Sequence, residues 1–481
     1  MDVLRCFRDK DLILPRMLFV LLATGLLAIA GCANVPGGSD AQVQYPKNII
    51  IMFADGTAPT QWEFGKYSAR HLRNEPFAVT DIVFREGTIG MLSTHSLDAF
   101  VTDSAAAASA MSTGYKVNNY AVSTSPDGKQ YRTLMQAAKA QGKRIGLVTT
   151  ATVYDASPAA FSVNAPSRSD YQSIVDQYLA LEPDVLMGGG ADFFLPAATP
   201  GGKRKDGKDV IAAFAAKGHQ VVHNSAQLNA ATGSRLLGLF APEDMDLEID
   251  RDAAKEPSTA EMAAAALKAL SQASPNGFVL FVENENTDTA GHHMDAAALM
   301  RALWAFDKAV QVAIDFQRKA PADTLVIVTG DHETGGLAPT YALNDLSTNS
   351  SKNRFFTGPA QLKMLDGITM SLLDASEKLG KKPSSEAIDA LLSKHFPGFT
   401  LDPDLRGAIL KQQLLDRNYS YITESALARM VSRRTGIYWG TSGHTPEPVM
   451  VGAIGPGAGL FHGYQDNTDF AKHLHRLING R

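Results

Sequence analysis

An α/β fold with a central, mostly parallel sheet flanked by helices is the fold class that the sequence predicts. Apolar, β-branched runs of strand length recur along the chain, at 48–53, 144–150, 184–187, 277–282 and 324–329. Patterns with helical periodicity separate them, such as 132–142 and 260–273. Runs that are apolar throughout are typical of parallel strands buried on both faces. The alternation of the two patterns therefore indicates helices packed on both sides of one sheet.

The composition supports a globular protein with a large core. Of 481 residues, 45% are hydrophobic and 20% are charged. Downstream of the N-terminal segment, no apolar run reaches the roughly 18 residues that a membrane-spanning helix needs. The formal net charge is −5 at pH 7. An acidic balance without basic clusters gives no indication of a nucleic-acid-binding surface.

The N-terminal segment predicts export. Basic residues precede the apolar run MLFVLLATGLLAIA, which ends in Ile-Ala-Gly-Cys at Cys32. This ending resembles a bacterial lipoprotein signal, so we expect residues 1–31 to be removed and Cys32 to be lipidated. Residues 32–46 then form a flexible tether before a domain at 47–481. Since Ala33 follows the cysteine instead of aspartate, outer-membrane attachment is favoured, on the periplasmic or surface side. A transmembrane anchor or a simple cleaved signal is the alternative.

Acidic residues and a histidine stand at or just beyond the ends of several predicted strands. Parallel sheets bind ligands at the carboxyl ends of their strands, where loops from distant parts of the chain meet. We therefore expect one cleft that contains Asp55, Asp155, Glu283, Asp331 and His332.

The strand and helix alternation is interrupted between about 337 and 440. This stretch is polar and its patterns are helical, for example at 384–396 and 421–434. We interpret it as a helical insertion beside the active site, acting as a lid or a subunit contact. A passive surface addition is the alternative.

Ser104 is the candidate nucleophile. It follows Asp103 and opens the run AAAASAM, which has high helix propensity, so its hydroxyl is expected at a helix N-terminus. The backbone N–H groups and the helix dipole there favour an alkoxide or a bound phosphate oxygen. Taken alone, the residue is also compatible with an ordinary helix cap.

Two pairs of residues have the composition of transition-metal ligands. Asp288 and His292 are four positions apart, which places both side chains on one face of a helical turn. Asp331 and His332 are adjacent in a turn after a buried strand. Carboxylate with imidazole is typical of zinc sites that leave a position for water or substrate. Each pair alone could be a surface ion pair. The other acidic and histidine residues set aside as structural or solvated are Glu285, His293, His95, His219 and His223.

A further group offers only oxygen atoms. Asp55, Glu283 and the hydroxyl of Ser157 suit a hard cation such as magnesium, which keeps several waters. Arg168 follows in a polar segment, and its planar guanidinium can bind two phosphate oxygens at once. A solvated loop arginine is the alternative for this residue.

With these motifs in place, the chain resembles the alkaline phosphatases over nearly its whole length after the signal. The resemblance implies a phosphate monoester hydrolase that forms a seryl phosphate on Ser104. It also implies a cofactor set of two Zn²⁺ and one Mg²⁺. The implied ligands are Asp288, His292 and His444 for the first zinc; Asp55, Asp331 and His332 for the second; and Asp55, Ser157 and Glu283, with Asp155 through water, for magnesium. Arg168 is implied as the phosphate-binding arginine.

The resemblance also carries expectations about partners and rivals. Small phosphomonoesters are the implied substrates, inorganic phosphate is a product, and a homodimer is compatible with the sequence. The main alternative is a phosphodiesterase of the same superfamily; a sulfatase lacks support because no formylglycine precursor motif stands at the nucleophile. A lipid-anchored binding protein with an inactive enzyme fold is disfavoured because every ligand is present. Three departures from the family pattern are Thr289 after the zinc aspartate, the four alanines that follow Ser104, and Pro446 after His444-Thr445.

Overall fold

Ten strands form one sheet through the centre of the protein, in a computed structural model that describes residues 44–272 and 274–480. From one edge of the sheet to the other they comprise residues 463–466, 88–93, 449–454, 324–329, 48–54, 278–284, 144–152, 185–189, 236–239 and 220–222. Nine of these strands run in one direction, and the strand at 449–454 is antiparallel to both of its neighbours. The mostly parallel α/β sheet predicted from the sequence is therefore confirmed.

The elements are numbered separately for strands and helices along the chain. The strands are β1 Asn48–Ala54, β2 Thr88–Ser93, β3 Arg144–Thr152, β4 Val185–Gly189, β5 Gln220–Val222, β6 Leu236–Leu239, β7 Phe278–Asn284, β8 Thr324–Thr329, β9 Glu333–Thr334, β10 Leu337–Pro339, β11 Tyr341–Leu343, β12 Arg354–Phe356, β13 Ile437–Trp439, β14 His444–Thr445, β15 Val449–Ile454 and β16 Gly463–Asp466. The α-helices are α1 Pro59–Ser68, α2 Ser104–Thr113, α3 Leu134–Ala140, α4 Ala156–Ser162, α5 Tyr171–Leu181, α6 Val210–Ala216, α7 Ser225–Asn229, α8 Thr259–Ser271, α9 Asn286–His292, α10 Ala296–Lys319, α11 Pro359–Asp366, α12 Leu372–Leu379, α13 Ser385–His395, α14 Pro403–Lys411, α15 Ile422–Thr435 and α16 Asn467–Asn479.

Both faces of the sheet are covered by helices. Successive side chains of β1 point to opposite faces because a strand has a period of two. Met52 belongs to the apolar cluster that includes α8 and α10. Its neighbour Phe53 packs against Phe281 of β7 and Phe161 of α4, with ring centroids 5.1 and 5.7 Å away. The strand is therefore apolar at every position, which explains why its sequence lacks alternation.

Helix α2 lies completely buried, packed against α4 and α16. Five of its first seven residues are alanines, and small side chains allow neighbouring helices to approach closely. Asp103, in extended conformation, caps the helix by accepting a hydrogen bond from the backbone N–H of Ala106 at 2.9 Å. Ser104 is thus the first residue inside the helix, and the capping function belongs to Asp103.

The segment at 337–440 contains helices α11 to α15, two of which occupy the stretches with helical patterns. It also contains short strands that the sequence did not predict. Strands β10 and β13 pair antiparallel, with Leu337 opposite Trp439, and β11 pairs with β12. The pairing of β10 with β13 brings the two ends of the segment together beside the sheet. The lid and subunit-contact roles stay predictions.

The predictions for the N-terminus concern residues that the structure leaves undescribed. The signal at 1–31, the lipidation of Cys32 and most of the tether at 32–46 lie outside the described residues. Among the described residues, no helix is both long and apolar enough to cross a membrane.

Candidate active site

The candidate ligands meet at the carboxyl edge of the sheet. Asp55 directly follows β1, Glu283 is near the end of β7, and Asp331 lies two residues after β8. The antiparallel strand β15 begins at this same edge, and His444 precedes it in β14. The parallel strands therefore place candidate ligands at or just after their last residues, whereas His444 comes before the first residue of the reversed strand.

One group of side chains forms around Asp288. Its Oδ2 lies 3.1 Å from Nε2 of His292, and its Oδ1 lies 3.6 Å from Nε2 of His444. The two imidazole Nε2 atoms are 3.1 Å apart. Ligands of a tetrahedral zinc ion with bonds of about 2.0–2.1 Å are separated by about 3.3 Å. The spacing of these three residues therefore fits one metal ion.

Backbone carbonyls orient both histidines of this group. Nδ1 of His292 donates to the carbonyl of Ser442 at 2.7 Å, and Nδ1 of His444 donates to the carbonyl of Thr102 at 2.8 Å. Because a carbonyl only accepts, Nδ1 must carry the proton in each ring. In the neutral imidazole, Nε2 is then left with its lone pair directed at the centre of the site, as metal-ligating histidines require.

A second group consists of Asp55, Asp331 and His332, which are all buried. Nε2 of His332 lies 3.4 Å from Asp55 Oδ1 and 3.2 Å from Asp331 Oδ2. Within the described part of the chain, neither of those carboxylate oxygens has a hydrogen-bond donor. Buried carboxylate oxygens without donors are costly unless a cation contacts them. This group therefore fits a second metal ion.

His332 also belongs geometrically to the first group. One ligand atom each from Asp288, His332 and His444 lies within 4.8 Å of the others, as does one each from Asp55, Asp331 and His332. The rings of His332 and His444 stack at 3.6 Å. We assign His332 to the second group because its Nε2 lies 3.2 Å from Asp331 Oδ2. His292 completes the first group, since its Nε2 lies 3.1 Å from both Asp288 Oδ2 and His444 Nε2.

The oxygen-only group consists of Asp55, Ser157 and Glu283. Oδ2 of Asp55 accepts a hydrogen bond from Ser157 Oγ at 3.2 Å. Glu283 accepts from Thr149 Oγ1 at 2.5 Å through Oε2, while Oε1 is buried without a donor among the described residues. The hydroxyl and two carboxylates have the chemistry of a hard-cation site.

Burial of so many carboxylates without a cation shifts their protonation. Burial first, and then neighbouring carboxylates, raise the pKa of Asp331 to about 8 and of Glu283 to about 8. The pKa of Asp55 is also raised well above its usual value by burial and by Asp331. Burial also disfavours the charged forms of Asp288 and His292, but the attraction between the two groups outweighs it. The pKa of Asp288 is therefore lowered, and that of His292 is raised to about 9. The site is therefore strongly attractive to cations.

A glycine makes the close approach of these groups possible. Gly56 has φ +69°, and a Cβ there would lie 2.7 Å from Asp288 Oδ1 and 2.8 Å from Thr334 Oγ1. Its backbone N–H donates to Asp331 Oδ1 at 3.2 Å. The glycine of the motif MFADGT thus lets the first and second groups share one small volume.

Ser104 faces the second group from the start of α2. Its Oγ lies 3.1 Å from Nε2 of His332. The side chain is buried and stands in the first turn of a helix, where unpaired N–H groups favour negative charge. The hydroxyl is therefore placed to act as a nucleophile beside a metal ligand.

Arg168 lies between two carboxylates at the same edge. Its Nη1 donates to Asp103 at 3.3 Å and its Nη2 to Asp155 at 3.0 Å. Burial opposes its charge, but Asp155 and Asp103 outweigh that effect and raise the pKa of Arg168. The backbone N–H of Arg168 donates to the carbonyl of Tyr120 at 2.7 Å, which fixes the loop. The guanidinium is thus held in place near the N-terminus of α2.

The sequence reasoning missed several residues that support these ligands. Thr334 Oγ1 contacts Asp288 and lies 3.2 Å from Nδ1 of His332. The carbonyls of Thr102 and Ser442 orient histidines. Glu285, set aside as structural or solvated, accepts from Thr289 Oγ1 at 2.6 Å. Thr102 and Ser442 act through their backbone carbonyls, which every residue has, so no side-chain pattern could have identified them. Thr334 lies in the motif TGDHETGG and could have been identified from the sequence.

A buried serine hydroxyl beside two groups of candidate metal ligands, with an arginine at the same helix end, is the arrangement of a metal-dependent hydrolase of phosphate esters. The comparisons with known proteins agree. The alkaline phosphatase family profile matches residues 46–479. Alkaline phosphatase 3 of Bacillus subtilis is 30% identical over 479 residues, covering 97% of this chain and 96% of its own.

Solved structures show the same relationship. The alkaline phosphatase of Thermus thermophilus has a TM-score of 0.80 and 30% identity, covering 93% of this chain and 96% of that one. A cold-active alkaline phosphatase from Shewanella has a TM-score of 0.72 and 32% identity, with 90% and 99% coverage. The chain belongs to the alkaline phosphatase family. It is a phosphatase, and its candidate metal-binding groups suit a family whose members depend on metals.

Proposed function

We propose that the protein hydrolyses phosphate monoesters through a covalent phosphoserine at Ser104, with two Zn²⁺ and one Mg²⁺ as cofactors. The observation that carries the proposal is the 3.1 Å contact between Ser104 Oγ and Nε2 of His332, beside buried carboxylates that each have one oxygen without a donor among the described residues. A nucleophile placed against a metal ligand is the arrangement that activates a hydroxyl at neutral pH.

The residues divide into three ligand sets by geometry and chemistry. The imidazole-containing sets suit zinc, and the set of oxygen ligands suits magnesium. The ligands would be Asp288, His292 and His444 for one zinc; Asp55, Asp331 and His332 for the other; and Asp55, Ser157, Glu283 and, through water, Asp155 for magnesium. When bound, the ions supply positive charge that lowers the pKa of the serine hydroxyl and stabilises the departing alcohol oxygen.

The chain's own residues carry the two steps of transfer. Ser104 Oγ attacks phosphorus, the bond to the alcohol oxygen breaks, and the alcohol leaves with a proton. Water then attacks the phosphoserine from the side that the alcohol vacated, and phosphate departs as Ser104 regains its proton. The N–H groups at the start of α2 and Arg168 hold the non-bridging oxygens through both steps.

A paired experiment tests this proposal against the phosphodiesterase alternative. The metal content of the purified protein is measured together with hydrolysis rates of a phosphate monoester and of a diester with the same leaving group. We expect bound zinc and magnesium and a clear preference for the monoester, because Arg168 and the helix end can pair with the additional free oxygen. A preference for the diester would favour the alternative.

Replacing Arg168 by alanine should weaken phosphate binding. Loss of hydrogen bonds to a charged ligand costs about 1.5–3 kcal/mol, so kcat/KM should fall about 10- to 100-fold, mainly through KM with a good leaving group. The measurements are steady-state kinetics and inhibition by inorganic phosphate. Arg433→Ala is the matched control, since that arginine also pairs with two carboxylates, those of Asp402 and Asp404, but neither belongs to the candidate site. Unchanged phosphate inhibition in Arg168→Ala would contradict the assignment.

Metal binding should strengthen as the pH rises toward 8. In the metal-free protein the pKa values of Asp331 and Glu283 are raised to about 8, so below that pH both carboxyls carry protons that a metal must displace. Each displaced proton weakens apparent affinity up to about tenfold per pH unit. Chelator competition at pH 6, 7, 8 and 9 checks this, and activity should follow the same trend toward alkaline pH. Affinity independent of pH between 6 and 8 would contradict it.

We also propose that the protein is exported and held in the outer membrane by a lipid on Cys32. The supporting observation is the signal-like segment that ends at this cysteine. Cys32→Ser should move the protein from the membrane fraction to an unprocessed or released form, while Cys6→Ser should leave it in place. Metabolic labelling with a fatty acid and cell fractionation provide the measurements. Labelling of the Cys32→Ser variant would overturn the lipid site.

A further inference from the structure

The insertion reaches the active site through a short segment that we call the clamp loop, residues 418–421, just before α15. It lies against the loop at 440–443, which leads into His444. Neither loop supplies a metal ligand in the assignment above. Their contacts nevertheless lead directly to the imidazole of His292.

The clamp loop holds the 440–443 loop by several hydrogen bonds. The carbonyl of Asn418 accepts from the backbone N–H of Ser442 at 3.0 Å and from Thr441 Oγ1 at 3.1 Å. Its side-chain Nδ2 donates to the carbonyl of Gly440. The backbone N–H of Ser420 donates to Ser442 Oγ at 2.8 Å. Asn418 thus uses both its main chain and its side chain to fix this loop.

Ser442 transmits that position to the metal ligand. It is 5% exposed, and its carbonyl accepts from Nδ1 of His292 at 2.7 Å. On its other side, the loop is tied to Gly335, whose N–H donates to the carbonyl of Gly443 at 2.9 Å. A shift of the Ser442 carbonyl would weaken the bond that keeps the proton on Nδ1 of His292.

The clamp loop also contacts the end of α9, which carries His292, the donor of the hydrogen bond to the Ser442 carbonyl. The ring of Tyr421 lies 4.4 Å from the ring of His293, the residue that follows His292 at the end of α9. The loop therefore contacts both partners: Ser442, which accepts, and the helix end, which donates. A contact with one partner alone would be ordinary packing, whereas contacts with both fix their separation.

We propose that Asn418 is a positioning residue for the first metal site and acts through Ser442 on His292. This inference rests on the proposed function, which assigns His292 as a zinc ligand. By holding the Ser442 carbonyl in place, Asn418 keeps the imidazole of His292 oriented with Nε2 aimed at the ion. The insertion then serves the chemistry directly, as a brace for a ligand.

The test compares zinc affinity among variants of the full-length protein. Asn418→Ala removes the donor to Gly440, and Asn418→Asp places a carboxylate against that carbonyl. Ser442→Ala removes the hydroxyl that Ser420 contacts while keeping the carbonyl. Gln412→Ala is the matched control, because its amide donates to the Ile409 carbonyl at 2.8 Å in the same insertion. Zinc dissociation constants come from chelator competition, and melting temperatures from the metal-free proteins.

We expect zinc binding at one site to weaken about tenfold in Asn418→Ala, the usual effect of losing a partner that orients a ligand, and more in Asn418→Asp. Ser442→Ala should give a smaller loss, and Gln412→Ala none. Metal-free melting temperatures should match the wild type, and turnover should recover at saturating zinc. If wild-type protein binds zinc and both Asn418 variants bind it equally well, the positioning role is wrong. A parallel fall in metal-free stability that accounts for the loss would also overturn it, and wild-type protein without zinc would overturn the proposed function itself.

Discussion

Ser104→Ala should lower turnover of a phosphate monoester by about three orders of magnitude or more, while the metal content stays unchanged. The residue lies 3.1 Å from His332 but is not needed to complete either imidazole-containing ligand set. Without its hydroxyl no covalent intermediate forms, so any remaining hydrolysis must use water directly. The expected result is an enzyme that binds metals and phosphate but scarcely turns over.

The control for Ser104→Ala is Ser109→Ala in the same helix. Ser109 Oγ accepts from the backbone N–H of Ser123 at 2.7 Å, so its removal disturbs the packing of α2 without touching the site. Kinetics, metal analysis and trapping of the phosphorylated peptide at low pH are the measurements. A phosphopeptide that contains a serine other than Ser104 would remove the assignment.

Asp288→Asn should have an effect of similar size through loss of a metal ion. Asp288 contacts His292 and His444 and also Thr334, so it links the ligands of the proposed first zinc site. An amide has no charge to offset the ion, and zinc occupancy should fall from two ions to one or fewer. Activity should fall with it, because two-metal chemistry requires both ions.

The same variant should lose the thermal stabilisation that metal gives to the wild type. An ion that binds only the folded protein stabilises it by about 2.7 kcal/mol at one hundred times its dissociation constant. Metal analysis and melting curves with and without chelator measure both effects. Asp307→Asn is the control, since Asp307 is also buried but accepts from the backbone of Val79 at 2.9 Å. Two bound zinc ions and full activity in Asp288→Asn would contradict the two-zinc assignment.

The site residues that could be predicted from the sequence were those whose side chains differ from the apolar residues around them. Asp55 and Asp331 stand out because they interrupt apolar runs, and a parallel sheet brings such residues to one edge. Asp288 and His292 could be paired because their spacing matches a helical turn, which α9 provides. The central strands were predictable for a related reason: they are buried on both faces and apolar throughout.

Other features depend on contacts that no local pattern encodes. Strands β10 to β13 have three residues each, too few to show a period, and their paired residues are as many as 102 positions apart in the sequence. The carbonyls of Thr102 and Ser442 act through their positions and not through their side chains. Only the backbone conformation shows that Asp103 caps the helix and leaves Ser104 free for its proposed role as nucleophile, since either residue type can cap a helix.

The reversed strand β15 determines when during synthesis the site can form. Strand β2 is made early, but both of its partners in the sheet, β15 and β16, are made at the end of the chain. His444 also emerges just before β15. A nascent chain can therefore assemble the sheet from β8 to β5, but it has neither the completed edge nor all the metal ligands until its last strands appear. Pairings this distant along the chain are slow to form. We therefore expect phosphatase activity only in a chain that extends through β15 and β16.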